Sequence, residues 1–271
     1  MRVCLRGLRV RLRLRGWRPV RGTSPEAEPR PDLPAIEQSR ALAGWLAGPR
    51  SRALRRAAIG LRSAVLEAGS GHGVVTAELA RRARGEVICL DINQGALTGG
   101  DYPQDTLRVA GDCRALPFPD AGFDLVFYQN VLMWVDRCGE AVAEAARVLE
   151  AGGALVALEP DYGGMMEAPE LGLRELWIEG LRAAGADPLV GRRLPAMCEA
   201  AGLEVWVELA HLPQEARAEA VALLEGLPLT GDQRARAADA AARIASATGR
   251  WQVFVHVPYF IIVAVRSPAT R

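Results

Sequence analysis

Residues 64–73 of this 271-residue chain, AVLEAGSGHG, constrain it most, because a short apolar run there ends in an acid and three alternating glycines. Glycine adopts backbone dihedrals that other residues avoid, and it lets a ligand approach the main chain closely. Apolar residues at helical spacing follow between Val74 and Ala80. The segment therefore predicts a buried strand, a tight turn and a helix, an arrangement that suits a nucleoside-bearing cofactor.

The spacing of the glycines narrows the choice of cofactor. A dinucleotide fingerprint, G-x-G-x-x-G, needs a third glycine at position 74, where this chain has Val74. A P-loop needs a lysine after its last glycine, and the sequence contains no lysine. A nicotinamide-dependent oxidoreductase is therefore disfavoured, although the glycine turn alone leaves it open.

Three further predicted strands each end in, or lead into, a polar residue. They cover residues 86–91, 108–112 and 123–128, with Asp91, Asp112 and Gln129 at their ends. In doubly wound sheets, ligands bind outside the carboxyl ends of the strands, and a carboxylate after the second strand accepts hydrogen bonds from ribose hydroxyls. Asp91 has that position, and Asp112 is placed to accept a hydrogen bond from an exocyclic amine such as that of adenine.

With these residues in place, the chain resembles the class I S-adenosylmethionine-dependent methyltransferases. The resemblance covers residues 64–160 and rests on 64–73, Asp91, the segment GDCRALPFPDAGFDLV at 111–126 and the segment RVLEAGGALV at 147–156. It implies an α/β fold with a doubly wound, Rossmann-like sheet of seven strands, the last strand antiparallel, and helical insertions that form a cap. It also implies S-adenosyl-L-methionine as the cofactor.

The resemblance further implies a cofactor site at the strand ends. Gly69, Ser70 and Gly71 of the turn would lie against the methionine part of the cofactor. Asp91 would hold the ribose, and Gln129 would lie near the methionine. Asp112 and Cys113 would flank the adenine. The implied residues are Glu67, Gly69, Ser70, Gly71, Asp91, Asp112, Cys113 and Gln129. Many relatives have a small residue where His72 stands, so His72 is expected to point outward or to touch the substrate.

The first 34 residues differ from the rest of the chain in charge and composition. Residues 1–22 carry eight arginines and no acid, and residues 23–34 are rich in Pro and Glu. We expect a basic, disordered leader and linker over 1–33. The leader has three readings: a disordered or wrongly assigned start, an organelle-targeting segment, or a polyanion-binding segment.

The rest of the chain, 34–271, is expected to be one methyltransferase domain. Its core is 64–160, and its cap helices lie within 161–185 and 212–249. The residues after position 22 include 25 basic and 32 acidic side chains, a mildly acidic balance that disfavours a nucleic acid substrate. Residues 251–265 are expected to form the final strand.

Aromatic residues near the predicted cap are candidates to line the pocket of a small-molecule acceptor. They are Trp134, Tyr162, Trp177 and Tyr259, with Met165 and Met166 beside them. Plain packing in the core is the alternative for each of them. Trp134 would either wall the cofactor or pack against the helix that follows it.

Methyl transfer requires few catalytic groups from the protein. Holding the nucleophile near an activated methyl group supplies much of the rate acceleration, and a base is needed only if the acceptor must lose a proton. The candidate bases are His211, His256, Asp161 and Glu159, none of which lies in a recognisable motif. A methyltransferase acting on a small organic acceptor is the first hypothesis, and a non-catalytic, cofactor-binding or scaffold protein of the same fold is the alternative.

The remaining expectations concern location and metals. No apolar run approaches the roughly 20 residues that span a bilayer, so no membrane association is expected. The five cysteines are scattered, without a C-x-x-C pair, which argues against a zinc site or a disulfide framework. These features predict a cytoplasmic protein without a bound metal.

Overall fold

The computed structural model describes residues 33–104, 106–210, 221, 223–249 and 251–267, and the backbone alone of 214–215. The strands are β1 Ala64–Ala68, β2 Glu86–Asp91, β3 Leu107–Ala110, β4 Phe123–Gln129, β5 Leu149–Pro160, β6 Met166–Ala168, β7 Leu203–Ala210, β8 Gln214–Glu215, β9 Phe254–His256 and β10 Tyr259–Arg266. The helices are α1 Ile36–Trp45, α2 Ala47–Arg56, α3 Thr76–Arg82, α4 Gln94–Gly99, α5 Cys138–Val148, α6 Leu173–Ala183, α7 Val190–Ala200 and α8 Gly231–Ala245.

Seven of the strands form one sheet in the order β3-β2-β1-β4-β5-β10-β7. Strand β1 pairs in parallel with both β2 and β4, whereas β10 runs antiparallel to β5 and β7. The chain builds β1, β2 and β3 towards one edge and then returns to place β4 on the other side of β1. This reversal confirms the predicted doubly wound sheet with an antiparallel last strand. The strand order reverses between β1 and β4, the position at which such sheets bind ligands.

Alternation of side chains along the buried strands produces two cores. Leu66 of β1 packs with Ile88 of β2 on one face of the sheet, and Val65 packs with Val87 on the other. Helices α5, α6, α7 and α8 bury apolar residues in the first core, and α1, α2 and α3 bury theirs in the second. The sheet is therefore covered by helices on both faces, as the continuous apolar strands predict.

The end of the chain differs from the expectation of one strand over 251–265. The structure has two strands there, β9 and β10, separated by Val257 and Pro258. Proline has no N–H to donate to a neighbouring strand, so it interrupts the ladder. Strand β9 leaves the large sheet and joins a three-stranded sheet in the order β6-β9-β8, which the sequence did not predict.

The segment 212–249, expected to be helical, contains strand β8, a short 3-10 turn at Leu223–Gly226 and helix α8. Helix α8 begins with a capping box in which the hydroxyl of Thr230 accepts the Gln233 N–H at 3.3 Å. The expected leader, 1–33, lies outside the described residues except for its last position, and the domain boundaries stay a prediction. Within the part of the chain that the structure describes, no helix has both the length and the apolar character needed to cross a bilayer.

Candidate functional site

The glycine turn after β1 is tied to the end of β2. The N–H groups of Gly69 and Ser70 both donate to the Leu90 carbonyl, at 2.7 and 3.1 Å. The N–H of Gly71 donates to Oδ2 of Asp91 at 2.7 Å. Gly69 has φ +76°, and a Cβ there would lie 2.4 Å from the methyl groups of Val131. Glycine is therefore required at this position by both its dihedral angle and its close contact.

Asp91 is 7% exposed and is held at both carboxylate oxygens. Its Oδ2 accepts the Gly71 N–H, and its Oδ1 accepts the Asn93 N–H at 2.7 Å. Each oxygen keeps a second lone pair, so the carboxylate can still accept hydrogen bonds from a ligand. The structure thus brings together the turn and the acid that the sequence assigned to one cofactor.

Tyr102 supports the same turn, and the sequence analysis missed it. Its hydroxyl donates to the Gly71 carbonyl at 2.6 Å and lies 2.9 Å from Oγ of Ser70. Its ring packs so closely on Gly73 that a Cβ there would lie 2.7 Å from it. Burial raises the pKa of Tyr102, so the hydroxyl keeps its proton and remains a donor. No local pattern marks Tyr102, which lies in the connection between α4 and β3.

Glu67 lies behind the glycine turn, in the core. Its carboxylate accepts the Thr76 hydroxyl at 2.5 Å and the Cys89 thiol at 3.4 Å. Burial raises the pKa of Glu67 to about 7. These contacts join β1, β2 and the first residue of α3, so the side chain fixes the turn from beneath. Direct contact between Glu67 and the cofactor stays a prediction.

Two predicted adenine neighbours follow β3. Asp112 pairs with Arg114, which reaches it with Nη2 at 2.7 Å and with its backbone N–H at 2.8 Å. Cys113 is 8% exposed and belongs to the core. A ligand amine would share the Asp112 carboxylate with Arg114, and the adenine contacts of both residues stay predictions.

Gln129, at the end of β4, accepts a hydrogen bond from a buried arginine that the sequence analysis did not single out. The Nη1 group of Arg50 lies 3.1 Å from Oε1 of Gln129 and also donates to the Ala43 carbonyl at 2.8 Å. Its Nε and Nη2 groups hold Glu78 at 2.9 and 2.6 Å. Arg50 is 5% exposed and thereby links α1, α2 and α3 to the strand end. The chain has many arginines, so nothing in its sequence marks this one.

Two of the candidate bases are engaged in hydrogen bonds or ion pairs with other groups of the protein. Glu159 is fully buried and accepts the N–H groups of Val131, Leu132 and Met133 at 2.8, 3.0 and 3.4 Å. Burial raises the pKa of Glu159 to about 7. Asp161 is held by the Arg192 guanidinium, with Nη2 at 2.7 Å.

No histidine is assigned as the catalytic base either. His256 is 2% exposed on β9, and His211 lies outside the described residues. His72, which was expected to point outward or to touch substrate, has its Nε2 3.1 Å from the Pro34 carbonyl, before α1. The catalytic residue therefore stays unassigned.

The aromatic candidates for the acceptor pocket divide between the two cores. Tyr162 stacks on Trp177, with ring centroids 5.1 Å apart, and both pack with Trp134 against the first core. Tyr259 lies in the second core and meets Trp45 edge to face at 5.6 Å. Met165 is 3% exposed, whereas Met166 on β6 is 49% exposed. Tyr162 and Trp177 form a stacked pair, Trp134 packs against the same core, and the role of all three in binding an acceptor stays a prediction.

Part of the chain is similar in sequence to known methyltransferases. Residues 66–157 match the family described as "Methyltransferase domain". Over 94 residues the chain is 35% identical to a malonyl-[acyl-carrier protein] O-methyltransferase of Pseudescherichia vulneris, covering 34% of this chain and 37% of that protein. Over 107 residues it is 36% identical to the ubiquinone/menaquinone biosynthesis C-methyltransferase UbiE of Vibrio vulnificus, covering 35% of this chain and 40% of that protein. The chain therefore spans about two fifths of the length of these curated relatives.

The fold is also found in a solved structure. The geranyl diphosphate C-methyltransferase of Streptomyces coelicolor A3(2), in complex with Mg²⁺, geranyl diphosphate and S-adenosyl-L-homocysteine, matches with a TM-score of 0.55 and 14% identity. The match covers 87% of this chain and 85% of that one, and at this identity it establishes the fold alone. The glycine turn, the strand order and the match over residues 66–157 together show that this part of the chain is similar to a methyltransferase domain with a Rossmann-like sheet.

Proposed function

We propose that this protein binds S-adenosyl-L-methionine across the carboxyl ends of β1, β2, β3 and β4 and transfers its methyl group to a small organic acceptor. One observation carries the proposal: the 2.7 Å hydrogen bond from the Gly71 N–H to Asp91. It fixes a carboxylate suited to ribose hydroxyls against the glycine turn that lets a ligand approach the backbone.

The order of the strands gives the bound cofactor a direction. Asp91 and Asp112 lie at the ends of β2 and β3, on one side of β1. A ribose held by Asp91 puts the adenine over the β3 side, and the rest of the molecule then extends across the glycine turn towards β4. When bound, S-adenosyl-L-methionine supplies an activated methyl group, and the residues of this chain orient it and keep water away from it.

The hydrogen bonds of the candidate bases indicate which kind of acceptor the protein methylates. Glu159 holds three backbone N–H groups and Asp161 holds Arg192, so taking up a proton on either carboxylate would weaken these contacts. An acceptor whose nucleophilic atom needs no proton removed by the protein fits this arrangement. The stacked rings of Tyr162 and Trp177 would give it an apolar wall.

The same engaged carboxylates also favour the second candidate function, a methyltransferase-like protein that binds the cofactor without turnover. We further propose that residues 34–271 act as one domain, with the segments after β5 and β7 capping the acceptor side. Cys89, Cys113, Cys138 and Cys198 are buried and form no disulfide among the described residues, which fits a protein of the reducing cytoplasm.

Calorimetric titration of the full chain with S-adenosylhomocysteine and S-adenosylmethionine tests the cofactor, and we expect micromolar affinity for both. Incubation with methyl-labelled cofactor and the small-molecule fraction of a cell extract then tests turnover. Label in a new small molecule supports the enzyme, and binding without label supports the second candidate. Absence of binding contradicts both functions, and tight NADH binding instead would revive an oxidoreductase.

A further inference from the structure

Trp45, the last residue of α1, has a buried hydrogen-bond donor without an acceptor. Its Nε1 group donates to none of the residues that the structure describes. Buried indole N–H groups usually find a partner, because a donor left unmet costs free energy. The indole meets the Tyr259 ring edge to face, with centroids 5.6 Å apart. Trp45 therefore has the properties of a residue whose partner arrives with a ligand.

Tyr259, the first residue of β10, supplies a second donor of the same kind. It is 4% exposed, and its hydroxyl forms no hydrogen bond with a described residue. Burial above all, and then the nearby Tyr162 and Glu159, raises the pKa of Tyr259. The hydroxyl therefore keeps its proton and remains a donor.

The two donors lie at the carboxyl edge of the sheet, on the acceptor side of the predicted cofactor. Tyr259 is opposite Pro160, the last residue of β5, and the strand order places β5 and β10 beyond β4. A cofactor whose ribose is bound by Asp91 extends from β2 towards β4. An acceptor that approaches it from the other side meets Trp45 and Tyr259.

Helix α1 connects the glycine turn to these donors. Just before the helix begins, the Pro34 carbonyl lies 3.1 Å from Nε2 of His72 in the turn. The helix has 10 residues and is therefore about 15 Å long, and the three strand spacings from β1 to β10 add up to about 14 Å. Helix α1 thus crosses the carboxyl edge from the cofactor's turn to Tyr259.

Two neutral donors and two engaged carboxylates favour one class of nucleophile. Ammonium, hydroxyl and thiol groups must lose a proton when they are methylated, whereas Glu159 and Asp161 are held by other groups of the protein. A carboxylate is already ionised at neutral pH, and it has two oxygens, so one can be held while the other attacks. On the same face of the sheet, Arg50 and Arg82 both pair with Glu78, and their net charge of +1 favours an anion nearby.

We propose that the methyl acceptor is a small carboxylic acid whose carboxylate is held by the Trp45 Nε1–H and the Tyr259 hydroxyl, an inference that rests on the proposed function. One carboxylate oxygen accepts both hydrogen bonds, and the other forms a bond to the methyl carbon. The electron pair of the broken carbon–sulfur bond stays on sulfur, so the products are a methyl ester and S-adenosylhomocysteine, and no proton moves. Because burial raises the pKa of Glu159 to about 7, that neighbour carries only part of its charge near neutral pH and opposes the anion less.

The test incubates the full chain with methyl-labelled S-adenosylmethionine and the small-molecule fraction of a cell extract. The labelled products are separated from the cofactor and treated with dilute alkali. Alkali hydrolyses methyl esters to labelled methanol, but it leaves methyl groups on nitrogen, carbon, sulfur and ether oxygen in place. We expect most of the label to be released as methanol.

Two substitutions, Trp45→Phe and Tyr259→Phe, keep an aromatic ring and remove the donor. At a limiting dilution of the extract and with saturating cofactor, each should lower the initial rate of alkali-labile product about tenfold, because a hydrogen bond to a charged group is lost. The affinity for S-adenosylhomocysteine should stay within about twofold. Trp206→Phe is the matched control, since Trp206 lies on β7 beneath Arg56, and its rate should stay within about twofold of the wild type.

The melting temperature of the ligand-free protein separates these roles from folding. Tyr259→Phe should not lower it, because the hydroxyl has no hydrogen bond with a described residue to lose. If the rate falls equally in all three variants, or falls in parallel with the affinity for S-adenosylhomocysteine, the assignment of the two donors is overturned.

The labelled product decides on the acceptor itself. Label that resists alkali overturns the carboxylic acid and leaves the proposed function standing. Binding of S-adenosylmethionine without any labelled product overturns the carboxylic acid and supports the second candidate function. If the wild type binds no cofactor, the proposed function fails as well.

Discussion

The N–H of Gly71 and the carboxylate of Asp91 are joined by a 2.7 Å hydrogen bond that closes the turn after β1 onto the end of β2. The same carboxylate accepts the Asn93 N–H, at 2.7 Å, where α4 is about to begin. One side chain thus sets the geometry of the loops on both sides of the predicted ribose site. Its removal should therefore affect ligand binding and folding together.

We expect Asp91→Ala to weaken S-adenosylhomocysteine by at least about tenfold and to lower the free energy of unfolding by about 1–3 kcal/mol, because two N–H groups lose their acceptor. Asp101→Ala is the matched control, since Asp101 pairs with Arg40 at the surface with 65% of its side chain exposed. That variant should stay within about 0.5 kcal/mol of the wild type. Similar losses in the two variants would contradict a special role for Asp91.

Gly69→Ala should be much more costly than Gly71→Ala. Both positions have positive φ, +76° and +53°, so each alanine costs about 1–2 kcal/mol in backbone strain. A Cβ at Gly69 also meets Val131 at 2.4 Å, whereas a Cβ at Gly71 meets nothing within 4 Å. Overpacking adds about 1–3 kcal/mol at Gly69, as urea denaturation would measure.

The Val131 contact can be tested by a double substitution. Val131→Ala removes both clashing methyl groups, so Gly69→Ala should cost less in that background than in the wild type. Equal costs in the two backgrounds would show that the contact does not limit the turn.

The stability difference between Glu67→Gln and the wild type should depend on pH. Burial raises the pKa of Glu67 from 4.5 to about 7, so between these values the folded protein keeps a proton that the unfolded chain has released. The wild-type free energy of unfolding therefore falls as the pH rises through this window, whereas glutamine does not titrate. The variant should gain on the order of 3 kcal/mol relative to the wild type between pH 4.5 and 8.

Denaturant titrations of both proteins at several pH values check this prediction. Taking the difference between them removes the contribution of Glu159, which is present in both. A difference that is constant from pH 4.5 to 8, or one that shrinks, would contradict a raised pKa at Glu67.

Glu159→Gln and Glu159→Ala should separate a turn-holding role from a catalytic one. The Glu159 Oε1 atom accepts the Val131 and Leu132 N–H groups, and a glutamine oxygen can accept both, so that only the 3.4 Å contact of Oε2 with the Met133 N–H is lost. We expect Glu159→Gln to stay within about 1 kcal/mol at pH 7, and Glu159→Ala to cost about 3 kcal/mol or more, because it leaves buried donors without an acceptor. Once an acceptor is known, loss of turnover in a stable Glu159→Gln variant would identify this residue as the base.

The sequence was sufficient for those parts of the site that local pattern encodes. The strand and glycine turn at 64–73, and Asp91 at the end of β2, follow from apolar runs and glycine spacing over a few residues. Arg50 and Gln129 are 79 positions apart, and their hydrogen bond exists only because α2 packs against α3 and the end of β4. Tyr102 is similar, since its hydroxyl reaches Gly71 from 31 positions away.

The error at 251–265 has a different origin. The residues there are almost all apolar, so the pattern predicts one buried strand. Pro258 was the contrary signal, because a proline cannot donate to a central ladder. Interpreted as a strand break, Pro258 predicts the division of this segment into β9 and β10.

Strand β9 passes into β10 across only Val257 and Pro258, so the small sheet is joined directly to a strand that is paired on both sides. The segment between β7 and β9 therefore starts and finishes on fixed backbone. A different segment can therefore be inserted between these two anchored ends without rerouting the backbone of β1, β2 and β4.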